Sequence, residues 1–162
     1  MPTIALRSAT ADDVGTLLEL IRGLALYEKK PEAVVATEAD LLEHGFGRVP
    51  RFEALIAFVD DKPAGFALFF PNFSTWTGRP GLYLEDIFVA EWARKLGVGR
   101  RLMARLAAIT LERGWGRFDF SVLNWNPTRQ FYHRLGMQHL EEWLPYRAVD
   151  DTLRRLAAED RE

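Results

Sequence analysis

An α/β fold built on a mixed sheet is predicted by the order of the segments: a strand, two helices, three strands, a helix, a strand, a helix and a short strand or strands. Two further features point the same way. The spacing of apolar residues changes from helical to strand-like after Gly45, and a glycine motif in mid-chain stands between a strand and a long helical pattern.

Residues 4–7 form the first strand. Thr10-Ala11-Asp12-Asp13 resembles a capping box, opening a helix that carries Val14, Leu17, Leu18, Ile21 and Leu24 on one face and ends near Tyr27. Lys29-Lys30-Pro31 breaks the pattern, and Thr37-Glu38-Ala39-Asp40 starts a shorter helix that stops at Gly45. Residues 52–59 and 64–70 are apolar runs joined across Asp60-Asp61-Lys62-Pro63, the pattern of a β-hairpin. A loop over 71–81 leads to a third strand at 82–89. Val98, Leu102, Leu106 and Ile109 then mark a helix ending near Gly114, and 118–122 is the next strand. Asn126-Pro127 supplies an N-cap and a first helical residue, and Gly136 closes that helix. The tail predicts a short strand on either side of Pro145 and an amphipathic stretch from Asp151 with Leu153 and Leu156.

A chain of 162 residues with 48% hydrophobic content fits one domain, taken as residues 1–162. Its formal charge of -2 gives no general electrostatic reason to expect nucleic acid or anionic lipid as a partner. There is no cysteine, which excludes disulfides, thiolate metal sites and a cysteine nucleophile. His44, His133 and His139 have no metal-ligand spacing, so no metal is expected. With no apolar signal core or spanning run, the expectation is a soluble cytoplasmic protein.

Arg94-Lys95-Leu96-Gly97-Val98-Gly99, followed by Arg100-Arg101, reads as an anion site at a helix start. There the first backbone N–H groups lack helical partners, the dipole is positive, and glycine allows close approach of a phosphate. A P-loop would need Gly-Lys-Ser or Gly-Lys-Thr after the second glycine, and a dinucleotide fingerprint would need a small residue where Leu102 stands.

The remaining match is Arg/Gln-x-x-Gly-x-Gly/Ala, and with it the chain resembles the GNAT superfamily of N-acetyltransferases. Within that superfamily it is similar to diamine (spermidine/spermine) acetyltransferases and their thialysine-acetylating relatives. The likeness is carried also by Leu26-Tyr27-Glu28, by residues 37–43 with Gly45-Phe46-Gly47, by Leu82-Tyr83-Leu84-Glu85-Asp86 with Phe88-Val89, and by Trp125-Asn126 with Phe131-Tyr132. It implies a single GNAT-like domain with a mostly antiparallel central sheet flanked by helices, acetyl-CoA as co-substrate, and a homodimer. It further implies that Ile87, Phe88 and Val89 meet acetyl-CoA through their backbone, that Lys95, Leu96, Gly97, Val98, Gly99 and Arg100 wrap the pyrophosphate, and that Asn126 meets the cofactor's arm. Tyr132 matches the catalytic tyrosine, and Tyr27, Glu28 and Glu85 match positions lining the amine site. The chain departs from the diamine enzymes by lacking one residue between Asn126 and Phe131, and the tail with Glu141 and Glu142 aligns loosely.

The chemistry calls for such residues. An alkyl amine with a pKa of about 10.4 arrives protonated and must lose a proton before attacking a thioester. Glu85, beside Asp86 near the end of a central strand, is the expected base, directly or through water. The oxyanion formed on attack needs a fixed donor, expected as a strand N–H freed by a bulge near Ile87 or Phe88. Tyr132 is the expected proton donor to the leaving thiolate; Phe131 lies about 100° round the helix, so only one of the two can point directly into the core. A CoA-binding sensor without turnover and an acetyltransferase for protein amines are the two alternatives.

Overall fold

The computed structural model describes residues 1–160. The chain divides into two compact units, the first spanning Met1–Ser121 and the second running from Val122 onward.

The first unit carries a five-stranded sheet in the order β1 (Ile4–Ser8), β2 (Glu53–Val59), β3 (Lys62–Ser74), β4 (Arg79–Val89), β5 (Phe118–Phe120). All neighbours are antiparallel except β4 and β5, which are joined through α3 (Val98–Glu112) and pair in parallel. A parallel neighbour requires such a crossover, whereas β2 and β3 need only a tight turn. That turn is Asp60-Asp61, with φ of 47° and 63°; two left-handed central residues give the twist that suits a two-residue hairpin.

Alternation along the strands divides the core between two layers. Ala54, Ile56, Phe66 and Leu68 pack with Leu17, Leu18 and Leu20 of α1 (Val14–Tyr27) and with Leu41 of α2 (Glu38–Phe46). Leu55, Ala57, Ala67, Phe69, Leu82 and Leu84 are the other buried set, and α3 packs on β3 and β4 with Val98, Leu102, Met103 and Leu106 buried. A single helical turn over Ala11–Asp13 introduces α1. Asp13 accepts the Thr10 backbone N–H at 2.7 Å and both arms of the Arg7 guanidinium at 2.6 and 2.7 Å, and that cation holds its carboxyl well below the usual carboxylate range.

Several predicted boundaries are corrected. The second helix does not stop at Gly45: that residue lies buried inside α2, which runs to Phe46 and is capped by Gly47. Residues 71–81 are not a loop, because β3 continues to Ser74 and β4 begins at Arg79, leaving a short turn between them. The pairing of β2 with β3 reaches only to Phe69, so Pro71 lies where β3 has a strand on one side, the edge setting in which a missing N–H is tolerated.

In the second unit, α4 (Arg129–Arg134) has Thr128 at its N-cap. The helix thus starts two residues later than predicted, and Asn126 shapes the turn before it: its Oδ1 accepts the Thr128 N–H at 2.9 Å and its carbonyl accepts the Arg129 N–H at 3.2 Å. Gly136, with φ of 85°, closes the helix as expected, and the Met137 N–H reaches back to the Tyr132 carbonyl. The strands predicted around Pro145 are absent among the described residues; an extended segment becomes a strand only where a neighbour takes up its N–H and C=O groups. The final helix, α5 (Asp150–Ala157), buries none of its residues.

Candidate active site

The anion site forms where β4 gives way to α3. Lys95 and Gly97 are both left-handed, with φ of 65° and 95°, and turns of this kind direct successive N–H groups to one side. Gly97 is the N-cap of α3, and the Arg101 N–H is bonded to the Gly97 carbonyl at 3.1 Å. The N–H groups of Val98, Gly99 and Arg100 precede that bond and open the helix at its positive end. Val98 is buried and anchors the turn, while Arg94, Lys95, Leu96, Gly97 and Arg100 are exposed. The neighbouring Arg101 is otherwise engaged: its guanidinium donates to the Ile4 carbonyl of β1. A left-handed turn, an uncapped helix start and exposed cations fit a pyrophosphate.

Beside that turn, β4 changes its pairing. The parallel ladder with β5 covers Leu82, Tyr83 and Leu84 only, so from Glu85 to Val89 the strand has a sheet partner on one side. This stretch contains Ile87, Phe88 and Val89, in regular register with Ala67, Phe66 and Gly65. The bulge expected at Ile87 or Phe88 lies earlier: Leu84 faces Phe69 and Asp86 faces Leu68, leaving Glu85 as the extra residue. A bulge belongs to a pair of strands, so one strand's sequence does not fix its position.

The bulge has two consequences for the carboxylates. It leaves Glu85 exposed, and it turns Asp86 to the face where Leu68 and Phe88 meet α1. There Asp86 is half-buried, and burial, reinforced by the negative charges of Glu85 and Glu28, raises its pKa from the ordinary 3.8 to about 6. Of the predicted amine-site residues, Tyr27 ends α1 and Glu28 is its C-cap, both half-buried. Tyr27, Glu28 and Glu85 thus belong to one neighbourhood at the joined ends of α1 and β4. The expectation placed Glu85 first; the register adds Asp86, whose carboxyl is turned to the α1 face and raised in pKa.

Arg94 adds a contact that no local pattern reveals. Its guanidinium carbon stands 4.8 Å from the centroid of the Tyr27 ring, and its Nε donates to the Val89 carbonyl at 3.2 Å.

In the second unit, Tyr132 is 8% exposed and Phe131 half-buried, with ring centroids 5.4 Å apart at 60°. The tyrosine is therefore the buried member of the pair. Asn126 is buried, with its side-chain oxygen bonded to the Thr128 N–H. Among the described residues no group of three or more His, Asp and Glu side chains is arranged to hold a metal ion, and no helix is long and apolar enough to cross a membrane.

This geometry agrees with what the chain resembles. The acetyltransferase (GNAT) family profile matches residues 18–137. A thialysine N-epsilon-acetyltransferase of Sus scrofa is 35% identical over 97% of this chain and 99% of its own length. Spermidine/spermine N(1)-acetyltransferase-like protein 1 of Homo sapiens is 34% identical over 99% of this chain and 24% of its own length. Among solved structures, an integron cassette protein from the mobile metagenome of V. cholerae superposes with a TM-score of 0.76 at 27% identity, covering 95% of this chain and 97% of that one. With a profile match over most of its length and full-length relatives above 30% identity, the chain belongs to the GNAT family and is an N-acetyltransferase.

Proposed function

We propose that this chain moves an acetyl group from acetyl-CoA directly to a primary amine of a small cationic acceptor, of the thialysine, diamine or polyamine class. The observation that carries the acceptor class is the gathering of Glu28, Glu85 and Asp86, where burial first, and the charges of Glu85 and Glu28 second, raise the pKa of Asp86. A protonated amine entering such a group relieves the repulsion between those charges, and it is the form that a small amine takes at neutral pH. The name of the thialysine relative matched along its full length supports the same class, as does that of the spermidine/spermine relative matched over part of its length.

Acetyl-CoA, when bound, supplies the acetyl group as an activated thioester. Lys95, Leu96, Gly97, Val98, Gly99 and Arg100 would hold its pyrophosphate through the first N–H groups of α3 and the flanking cations. Ile87, Phe88 and Val89 lie on the stretch of β4 that has a strand on one side only, which supports backbone contacts there. The Glu85–Asp86 pair takes the proton from the incoming ammonium. Glu85 is the exposed member that meets the amine, directly or through water, and Asp86, with its pKa raised to about 6, is a proton acceptor matched to neutral pH. Tyr132 is assigned proton donation to the departing thiolate, and Asn126 contact with the cofactor's arm, on the family resemblance.

A cytoplasmic setting without nucleic-acid or membrane partners fits the near-balanced charge and the absence of cysteine. A homodimer is supported by the exposed apolar residues of the tail, Leu140, Trp143, Leu144 and Tyr146. The test of function is release of free CoA from acetyl-CoA in the presence of thialysine, spermidine, spermine and simple diamines. Turnover with at least one of them is expected, and none with any would defeat the small-amine reading.

A further inference from the structure

The first residue of the glycine motif reaches toward the opposite substrate. Arg94 starts the anion turn, yet its guanidinium lies over the ring of Tyr27, the last residue of α1, while its Nε is bonded to the last carbonyl of β4. Three independent terms favour this position. A cation over an aromatic face is attracted by the ring quadrupole. A cation at a helix C-terminus complements the dipole of α1. The bond to Val89 fixes the side chain's stem, so the guanidinium is held from both sides. Displacing the start of the loop breaks the contact with Tyr27, and Tyr27 is joined directly to Glu28, whose charge acts on Asp86.

We infer that Tyr27 is a positioning residue for the CoA site: stacked under Arg94, it holds the start of the pyrophosphate turn in place and couples that turn to the amine-binding end of α1. This rests on the reading of residues 94–100 as the CoA site and adds a coupling that the family motif does not contain. It follows that a substitution on the amine side weakens CoA binding with no amine present. By linkage, an amine that shifts Tyr27 changes CoA affinity, and CoA changes the affinity for that amine by the same factor.

The experiment is calorimetric titration of CoA into the full chain and its variants. Tyr27→Leu should raise the Kd for CoA about 3- to 5-fold, the scale of an exposed cation–π contact. Arg94→Gln should raise it about 10-fold, as loss of a charged donor does. The double variant should bind no more weakly, within twofold, than Arg94→Gln alone, because both changes remove one interaction. Tyr27→Phe, which keeps the ring, should bind CoA as the wild type does. CoA binding by Tyr27→Leu at wild-type strength, or losses that multiply in the double variant, would overturn the coupling while leaving the proposed function standing. Failure of the wild type to bind CoA would overturn both. Should Tyr27→Leu not fold, Arg94→Lys decides: its ammonium cannot stack flat and reach Val89 together, so coupling predicts about threefold weaker binding, and unchanged binding sinks it.

Discussion

The turn proposed to hold the pyrophosphate and the carboxylate trio lie at the same end of β4 and solve opposite electrostatic problems with different materials. The turn is made of backbone: left-handed residues at positions 95 and 97 and the open start of α3 present N–H dipoles with exposed cations around them. The trio is made of side chains from two elements, brought together by the C-cap of α1 and the bulge of β4. Dipoles fixed by the chain path cost little to keep in place. A carboxylate half-buried beside two others is costly to keep charged, and Asp86 registers that cost, burial first and the neighbouring charges second, as a raised pKa. A binding site for a constant ligand can thus be written into the backbone, whereas a site that must release a proton holds strain in its side chains.

The contrast sharpens if each region is altered separately. The largest effect is expected from the side-chain region. Glu85→Gln and Asp86→Asn should each lower kcat/KM for the amine by roughly 100-fold or more, the scale of general-base loss, with the Kd for CoA within twofold of wild type. Steady-state kinetics paired with CoA titration checks this, and a parallel loss of CoA binding would erase the distinction. The wild-type kcat/KM should also fall as pH drops through about 6, and Asp86→Asn should remove that limb.

A smaller effect is expected from the backbone region. Gly97→Val places a β-branched residue at φ of 95°, where strain rather than crowding acts, since a Cβ there meets nothing within 4 Å. A left-handed penalty of about 1–2 kcal/mol predicts CoA binding roughly 10-fold weaker, with the Asp86 limb at its wild-type pH. Calorimetry and the pH profile read the two halves of this statement.

The smallest effect is on stability, and its sign reverses the usual expectation for a lost charge. The folded pKa of Asp86 is above its unfolded value, so the folded state holds the proton more tightly between pH 4 and 6, and stability falls as pH rises through that window. Asp86→Asn should therefore raise the Tm at pH 8 by a few degrees, consistent with relief of about 1–2 kcal/mol, and leave it nearly unchanged at pH 4. Thermal unfolding at both values checks it; destabilisation at pH 8 would show that the carboxylate is held by compensating contacts.

The same contrast explains what could be read from the residues. Arg94 to Gly99 was legible because its conformation is local: glycine spacing, a following helix and clustered cations lie within one short segment. Asp60-Asp61 and the Thr37 cap were legible for that reason as well, Thr37 accepting the Asp40 N–H at 3.2 Å. The bulge at Glu85 was not, since it is set by which residues of β3 stand opposite. The true length of the β3–β4 hairpin was hidden too, because Pro71, Asn72 and Gly81 resemble a loop until their pairing is seen. Asp86 and the stack of Arg94 on Tyr27 depend on elements some 60 residues apart in sequence, beyond any local pattern. The strands expected at Pro145 failed for the converse reason, an extended composition without a neighbour to pair with.

The extra residue at Glu85 works as a frameshift in side-chain alternation. Leu82, Leu84, Asp86 and Phe88 are all even-numbered, yet the first two face α3 and the last two face α1. If the strand ran regularly through Glu85 with no bulge, Asp86 would fall in the hydrophobic layer beneath α3 and Ile87 would come to the α1 face. A chimera that borrows this strand from a relative must therefore transplant the irregularity together with its partners on β3, since the identity of the carboxylate alone does not determine on which side of the sheet its chemistry takes place.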